Sequence, residues 1–251
     1  MPAGSERGFA ERLVFLHGFT QTHHHWHAGA HAVARHLGGH PTLAFVDLPG
    51  HGLSRRDETP IADSGGPLAA IGGTGTYVGY SMGGRFGLFA ALARPDVVER
   101  LVLIGATAGI DDPDERLDRR HLDHERADRL EALGLDAFLD EWLAAPMFAG
   151  LPADEAGLRH RRRNDVAGLA HSLRTCGTGS QPTLWPRLGE IAAPVLVLAG
   201  SRDTKFTEIG RRLADALPAG AFDAVPNAGH AAHAEAPDAT AEIIADWLRR
   251  S

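Results

Sequence analysis

Three residues whose side chains could together make a proton relay lie far apart in this chain: Ser81, Asp203 and His230. A serine hydroxyl is a poor nucleophile or base at neutral pH. It needs an imidazole within hydrogen-bond reach and a carboxylate that fixes the tautomer of that imidazole. Ser81 sits in Gly79-Tyr80-Ser81-Met82-Gly83, which fits G-x-S-x-G, with an apolar run before it and a helical pattern after it. Glycines two residues before and two after the serine let backbone segments approach closely around a strained strand-to-helix turn. Asp203 follows the run Val195–Leu198 through Ala199-Gly200-Ser201-Arg202, and His230 follows Phe222–Val225 through Pro226-Asn227-Ala228-Gly229. Both therefore fall in loops at the C-terminal ends of expected strands. Asp215 and Asp223 are weaker acids for the role, the first a helix position and the second a strand start, and His233 reads as a surface or helix-N-terminal residue. Oxyanion donors are expected from the backbone N–H groups of Met82 and of Phe19, which follows Leu16-His17-Gly18 after the first strand.

Elements able to position these groups are visible as periodicity. Continuous apolar runs at Leu13–Leu16, Thr42–Val46, Tyr77–Tyr80, Leu101–Ile104, Val195–Leu198 and Phe222–Val225 predict buried strands of a parallel sheet. Helical patterns cover Gly83 to Ala93, which Pro95 stops, and Ala236 to Arg249. The glycine-rich stretch 57–75 leaves room only for a short helix near Pro67–Ile71. The interval from Gly105 to Pro194 is too long for one crossover helix and is punctuated into three: Pro113 to about Leu133, Asp136 to Ala145, and Pro152 to about Thr175. The fold class expected is α/β, a mostly parallel sheet of six to seven strands with helices on both faces. Residues 1–110 and 186–251 form its core, and 111–185 an inserted helical cap over the end of the sheet where ligands bind.

Composition narrows the partners. A net charge of -7 and scattered arginines give no basic face for nucleic acid, so the expected partner is a small molecule. The longest apolar run near the N-terminus is too short for a membrane span or a signal peptide, and the single cysteine, Cys176, allows no intrachain disulfide; together these suggest a cytoplasmic protein, a monomer or small homo-oligomer. The segment Thr22-His23-His24-His25-Trp26-His27, with His31 nearby, invites a metal reading. No carboxylate or cysteine joins it at a recognisable ligand spacing. The expectation is a loop and helix start at the pocket mouth, with Trp26 packed, no metal and no cofactor.

The chain resembles the α/β-hydrolase fold family through His17-Gly18-Phe19, Asp47-Leu48-Pro49-Gly50-His51-Gly52-Leu53-Ser54, the serine turn, Gly200-Ser201-Arg202-Asp203 and Gly229-His230. Within that fold, the stretches 79–85, 202–206 and 147–151 look like the MenH type, the 2-succinyl-6-hydroxy-2,4-cyclohexadiene-1-carboxylate synthases of menaquinone biosynthesis. The resemblance implies that the triad removes a proton α to a carbonyl, that pyruvate is eliminated, and that arginines hold several substrate carboxylates. It points to Arg85 for a bidentate grip near the serine, to Arg119 as a cap arginine and to Arg161 as another, with Tyr80 and Trp142 also facing substrate. A carboxylesterase using an acyl-Ser81 intermediate is the alternative on the same triad.

Overall fold

The computed structural model describes residues 11–153 and 157–251. The six apolar runs form one sheet of β1 (Arg12–Leu16), β2 (Thr42–Val46), β3 (Gly75–Tyr80), β4 (Val98–Ile104), β5 (Val195–Gly200) and β6 (Gly220–Val225). Its order is β2-β1-β3-β4-β5-β6, and every neighbouring pair is parallel. Successive side chains of a strand point to opposite faces, so a sheet covered on both sides needs apolar residues at every position. Val14, Leu16, Leu101, Leu103, Val195 and Val197 pack into one core. Leu13, Phe15, Val102, Ile104, Leu196 and Leu198, their neighbours in sequence, pack into a second.

The helices are α1 (His27–Leu37), α2 (Gly65–Gly72), α3 (Met82–Ala93), α4 (Pro113–Leu133), α5 (Leu135–Leu143), α6 (Leu158–Arg161), α7 (Val166–Cys176), α8 (Thr204–Ala216), α9 (Ala232–Glu235) and α10 (Pro237–Arg250). Leu68 of α2, Phe86 and Leu88 of α3 and Leu213 of α8 close the first core. Val33 and Leu37 of α1 and Ile244 and Leu248 of α10 close the second. No described helix is long and apolar enough to cross a membrane.

Two helices depart from expectation. α2 is longer than the predicted Pro67–Ile71 because close packing outweighs glycine's weak propensity. Gly65 lies directly against the backbone of Phe89, and the Tyr77 hydroxyl donates to the carbonyls of Ala69 at 3.3 Å and Gly73 at 2.9 Å. The single helix predicted over 152–175 is instead α6 and α7, its residues 154–156 lying outside those described. Asp165 makes the break: its backbone is extended and its carboxylate accepts from Gly168 N at 2.7 Å, which caps a new helix.

Between β4 and β5 the chain leaves the sheet for α4 to α7. Asp112 starts α4 by accepting from the N–H groups of Asp114 and Glu115, both at 2.9 Å, with Pro113 in the first turn. Ala127, Leu130, Phe138, Leu169 and Leu173 give these helices a core of their own, against which Phe19 and Trp142 also pack. Phe19 is three residues beyond β1, so this small core meets the C-terminal edge of the sheet.

Candidate active site

Ser81 sits between β3 and α3 with φ 50° and ψ -108°, a conformation costly for any residue with a side chain. The glycines around it make the turn possible. A Cβ on Gly79 would lie 2.5 Å from the backbone of Gly83, and one on Gly83 would collide with the carbonyl of Leu16. Held this way, the Ser81 hydroxyl is 3.3 Å from His230 Nε2, and His230 Nδ1 is 2.8 Å from Asp203 Oδ2. Burial alone would raise the pKa of Asp203, but the bond from His230 and the N–H of Phe206 hold its carboxyl below the ordinary value. An ionised carboxylate on Nδ1 leaves Nε2 as the acceptor facing Ser81. Asp215 and Asp223 are exposed, on α8 and β6, and neither bonds His230.

Phe19 and Met82 both line the cavity above the serine, and neither N–H donates to another described residue. Buried neutral imidazoles brace the loop that carries Phe19. His17 Nδ1 donates to Gly18 O at 2.9 Å while Nε2 accepts from Leu48 N at 3.1 Å. His51 Nδ1 donates to Pro49 O at 2.9 Å while Nε2 accepts from Thr20 N at 3.3 Å. Burial drives the pKa of His17 down to about 4 and that of His51 to about 3, so both rings remain neutral struts at physiological pH. Gln21 completes the brace by accepting from Gly18 N at 3.0 Å.

The triad opens into a cavity of about 1180 Å³ lined by the sheet edge and by α4, α5 and α7. Tyr80, Trp142, Arg85 and Arg119 all line it. Trp142 has a buried indole N–H without a hydrogen-bond partner among the described residues. Arg119 is already paired, its Nε donating to Asp123 at 2.8 Å. Arg85 differs: its guanidinium, almost wholly buried, donates to the Cys176 carbonyl at 2.8 Å and Gln181 Oε1 at 3.1 Å, with no carboxylate bonded to it among the described residues. Burial, and then the nearby Arg119, lower its pKa to about 10, which leaves it cationic at neutral pH.

Two expectations are corrected. Arg161 is not among the cavity-lining residues; it is buried beneath the loop that carries Phe19, where it donates to the Thr20 hydroxyl and to the Phe19 carbonyl at 3.4 Å. His233 lies in the first turn of α9, as one of its two expected placements had it, but it is not a surface residue. It is buried with its ring 4.1 Å from that of Tyr80 and its Nε2 3.4 Å from Gln21, and burial lowers its pKa to about 3.

Glu235 has no sequence signature and still shapes the site. Its buried carboxylate accepts from Gly229 N at 2.8 Å and from Ala231 N at 3.1 Å, clamping the backbone on either side of His230. A Glu235→Gln amide offers one acceptor where two N–H donors converge and turns its own NH₂ toward the other. The expected cost is about 2 kcal/mol. Thermal denaturation should show a midpoint lowered by roughly 4–8 °C; an unchanged midpoint would mean the clamp contributes nothing.

The histidine-rich segment also lies elsewhere than expected. None of residues 23–27 lines the cavity, although Trp26 is packed in the second core as predicted. His23 to Trp26 form a 3₁₀ turn leading into α1, and nitrogen atoms of His23, His24 and His27 lie within 4.8 Å of one another.

The sequence profile of the alpha/beta hydrolase family matches residues 13–243. The 2-succinyl-6-hydroxy-2,4-cyclohexadiene-1-carboxylate synthase of Escherichia coli O1:K1 / APEC is 33% identical over 247 residues, covering 94% of this chain and 93% of that protein. The Serratia proteamaculans (strain 568) protein of the same name is 32% identical over 254 residues, covering 97% and 96%. The solved structure of MenH from S. aureus superposes with a TM-score of 0.81 at 30% identity, over 96% of this chain and 94% of that one. A parallel sheet with Ser81 at its elbow, similarity along nearly the whole length and a matching solved structure have one reading: the chain belongs to the α/β-hydrolase family, in its MenH-like branch.

Proposed function

We propose that this protein is a MenH-type synthase that eliminates pyruvate from 2-succinyl-5-enolpyruvyl-6-hydroxy-3-cyclohexene-1-carboxylate. His230, polarised by Asp203, draws the proton of the Ser81 hydroxyl, and the serine oxygen takes a proton from the carbon α to the succinyl carbonyl. The electron pair of that C–H bond enters the ring system as new unsaturation. The C–O bond to the enolpyruvyl group breaks with its electrons on oxygen, and the departing enolate takes up a proton to become pyruvate. The N–H groups of Phe19 and Met82 stabilise the negative charge that develops on the carbonyl oxygen. Residues 111–185 serve as the cap that holds the substrate over the elbow.

The observation that carries this reading is Arg85: a buried cation beside Ser81, bonded only to neutral oxygens among the described residues, in a cavity shared with the nucleophile. A buried charge of this kind is costly alone and becomes favourable once a carboxylate meets it. Ester hydrolysis through an acyl-Ser81 would use the same triad but gives no role to that guanidinium. Offering the purified protein this substrate and a panel of short-chain nitrophenyl esters separates the two. Rapid pyruvate release with feeble ester turnover is expected; fast ester turnover with a burst of nitrophenol and no pyruvate would select the hydrolase.

A further inference from the structure

We propose that His23, His24 and His27 bind one divalent first-row transition-metal ion, with zinc as the best match. The turn from 3₁₀ helix into α1 brings positions 23 and 27 onto one face with 24 between them, at ring-centroid separations of 3.9, 5.1 and 5.8 Å. Tetrahedral coordination at a Zn–N distance of about 2.0–2.1 Å needs nitrogens roughly 3.4 Å apart. These lie within 4.8 Å of one another, so small rotations about χ1 and χ2 close the site and water supplies the fourth ligand.

One ligand is already oriented. His23 Nδ1 donates to Asp47 Oδ2 at 2.8 Å, which leaves Nε2 with its lone pair directed elsewhere. This is the carboxylate–histidine arrangement that fixes tautomer and raises basicity in metal sites. Asp47 is itself held by the N–H groups of His23 at 2.7 Å and Leu53 at 2.9 Å. Three imidazoles and no thiolate favour zinc, nickel or copper over magnesium or calcium.

Arg163 is the competitor. Its Nη1 donates to His24 Nε2 at 2.7 Å. An imidazole that gives one nitrogen to a metal carries a proton on the other, so Arg163 must release His24 whichever nitrogen binds. Removing Arg163 therefore tightens the site by freeing His24. The ion sits outside the cavity and takes no part in the chemistry there.

The test is calorimetric titration of zinc chloride into the full chain, carrying no added histidine tag and stripped with chelator. Expected are one ion per chain and a dissociation constant of about 10 μM or tighter. His24→Gln and His27→Gln should each weaken binding at least tenfold, His31→Gln should leave it unchanged, and Arg163→Ala should tighten it several-fold. Absence of saturable binding up to about 1 mM zinc, full affinity in His24→Gln or His27→Gln, or an affinity unmoved by Arg163→Ala would each overturn the proposal.

Discussion

Ser81→Ala slows pyruvate release by at least about 10³-fold while KM changes little. The hydroxyl removed is the group that His230 Nε2 faces, 3.3 Å away. The cavity residues proposed to meet the substrate, Arg85 and Trp142, are untouched, so binding should survive where turnover does not. The fold survives too: Ser81 Oγ makes no hydrogen bond to a described residue other than His230, and alanine adopts the strained backbone no less readily than serine. Because Ser81 and His230 act as one relay, the double variant Ser81→Ala with His230→Ala should be no slower than the worse single variant. Steady-state pyruvate production by the three proteins measures this. A Ser81→Ala enzyme within tenfold of the parent, or losses that multiply in the double variant, would mean that the serine and the imidazole do not work in series.

The relay was legible in the sequence because each member occupies a loop directly after a buried strand, and a parallel sheet delivers all such loops to one edge. The same logic placed His17-Gly18-Phe19 in a loop at that edge, where Phe19 lines the cavity. What holds these loops was not legible. Glu235 acts through backbone N–H groups that any residue possesses, so its partners leave no trace in residue type. His17 and His51 were visible as motif residues, but only the structure shows that each is a neutral strut spanning two loops. Arg161, named through the resemblance, lies beneath the loop that bears Phe19 and bonds that loop at the Phe19 carbonyl and the Thr20 hydroxyl, a placement no residue type announces. In the histidine segment the rings were visible but not their carboxylate, since Asp47, which orients His23, comes from the loop after β2, 24 residues away. Helix boundaries failed where packing overrode propensity, at α2, and where one capping side chain restarted a helix, at Asp165.

Arg85→Met separates a cation kept for substrate from one kept for folding. Nη1 makes both of the described bonds of Arg85, and their acceptors are a backbone carbonyl and a neutral amide oxygen. Neither needs a full positive charge to satisfy it. The desolvation that depresses the pKa of this guanidinium is thus unrelieved by any bonded acid among the described residues, and methionine fills a similar volume without that penalty. For the synthase substrate, kcat/KM should fall by about 10²–10³-fold, the equivalent of roughly 3–4 kcal/mol for a charge-assisted contact with a carboxylate. Turnover of an uncharged nitrophenyl ester, however slow, should stay within about threefold, and the thermal midpoint should change little, relief of the desolvation offsetting the two buried oxygens that lose their donor. Arg85→Lys keeps the charge but loses the planar fork, so its kcat/KM should lie between those of the parent and the methionine variant. Equal losses for charged and neutral substrates would show instead that Arg85 acts by positioning the Ser81 turn. A midpoint lowered by several degrees would make it a structural residue, its grip on Cys176 and Gln181 being what the fold requires.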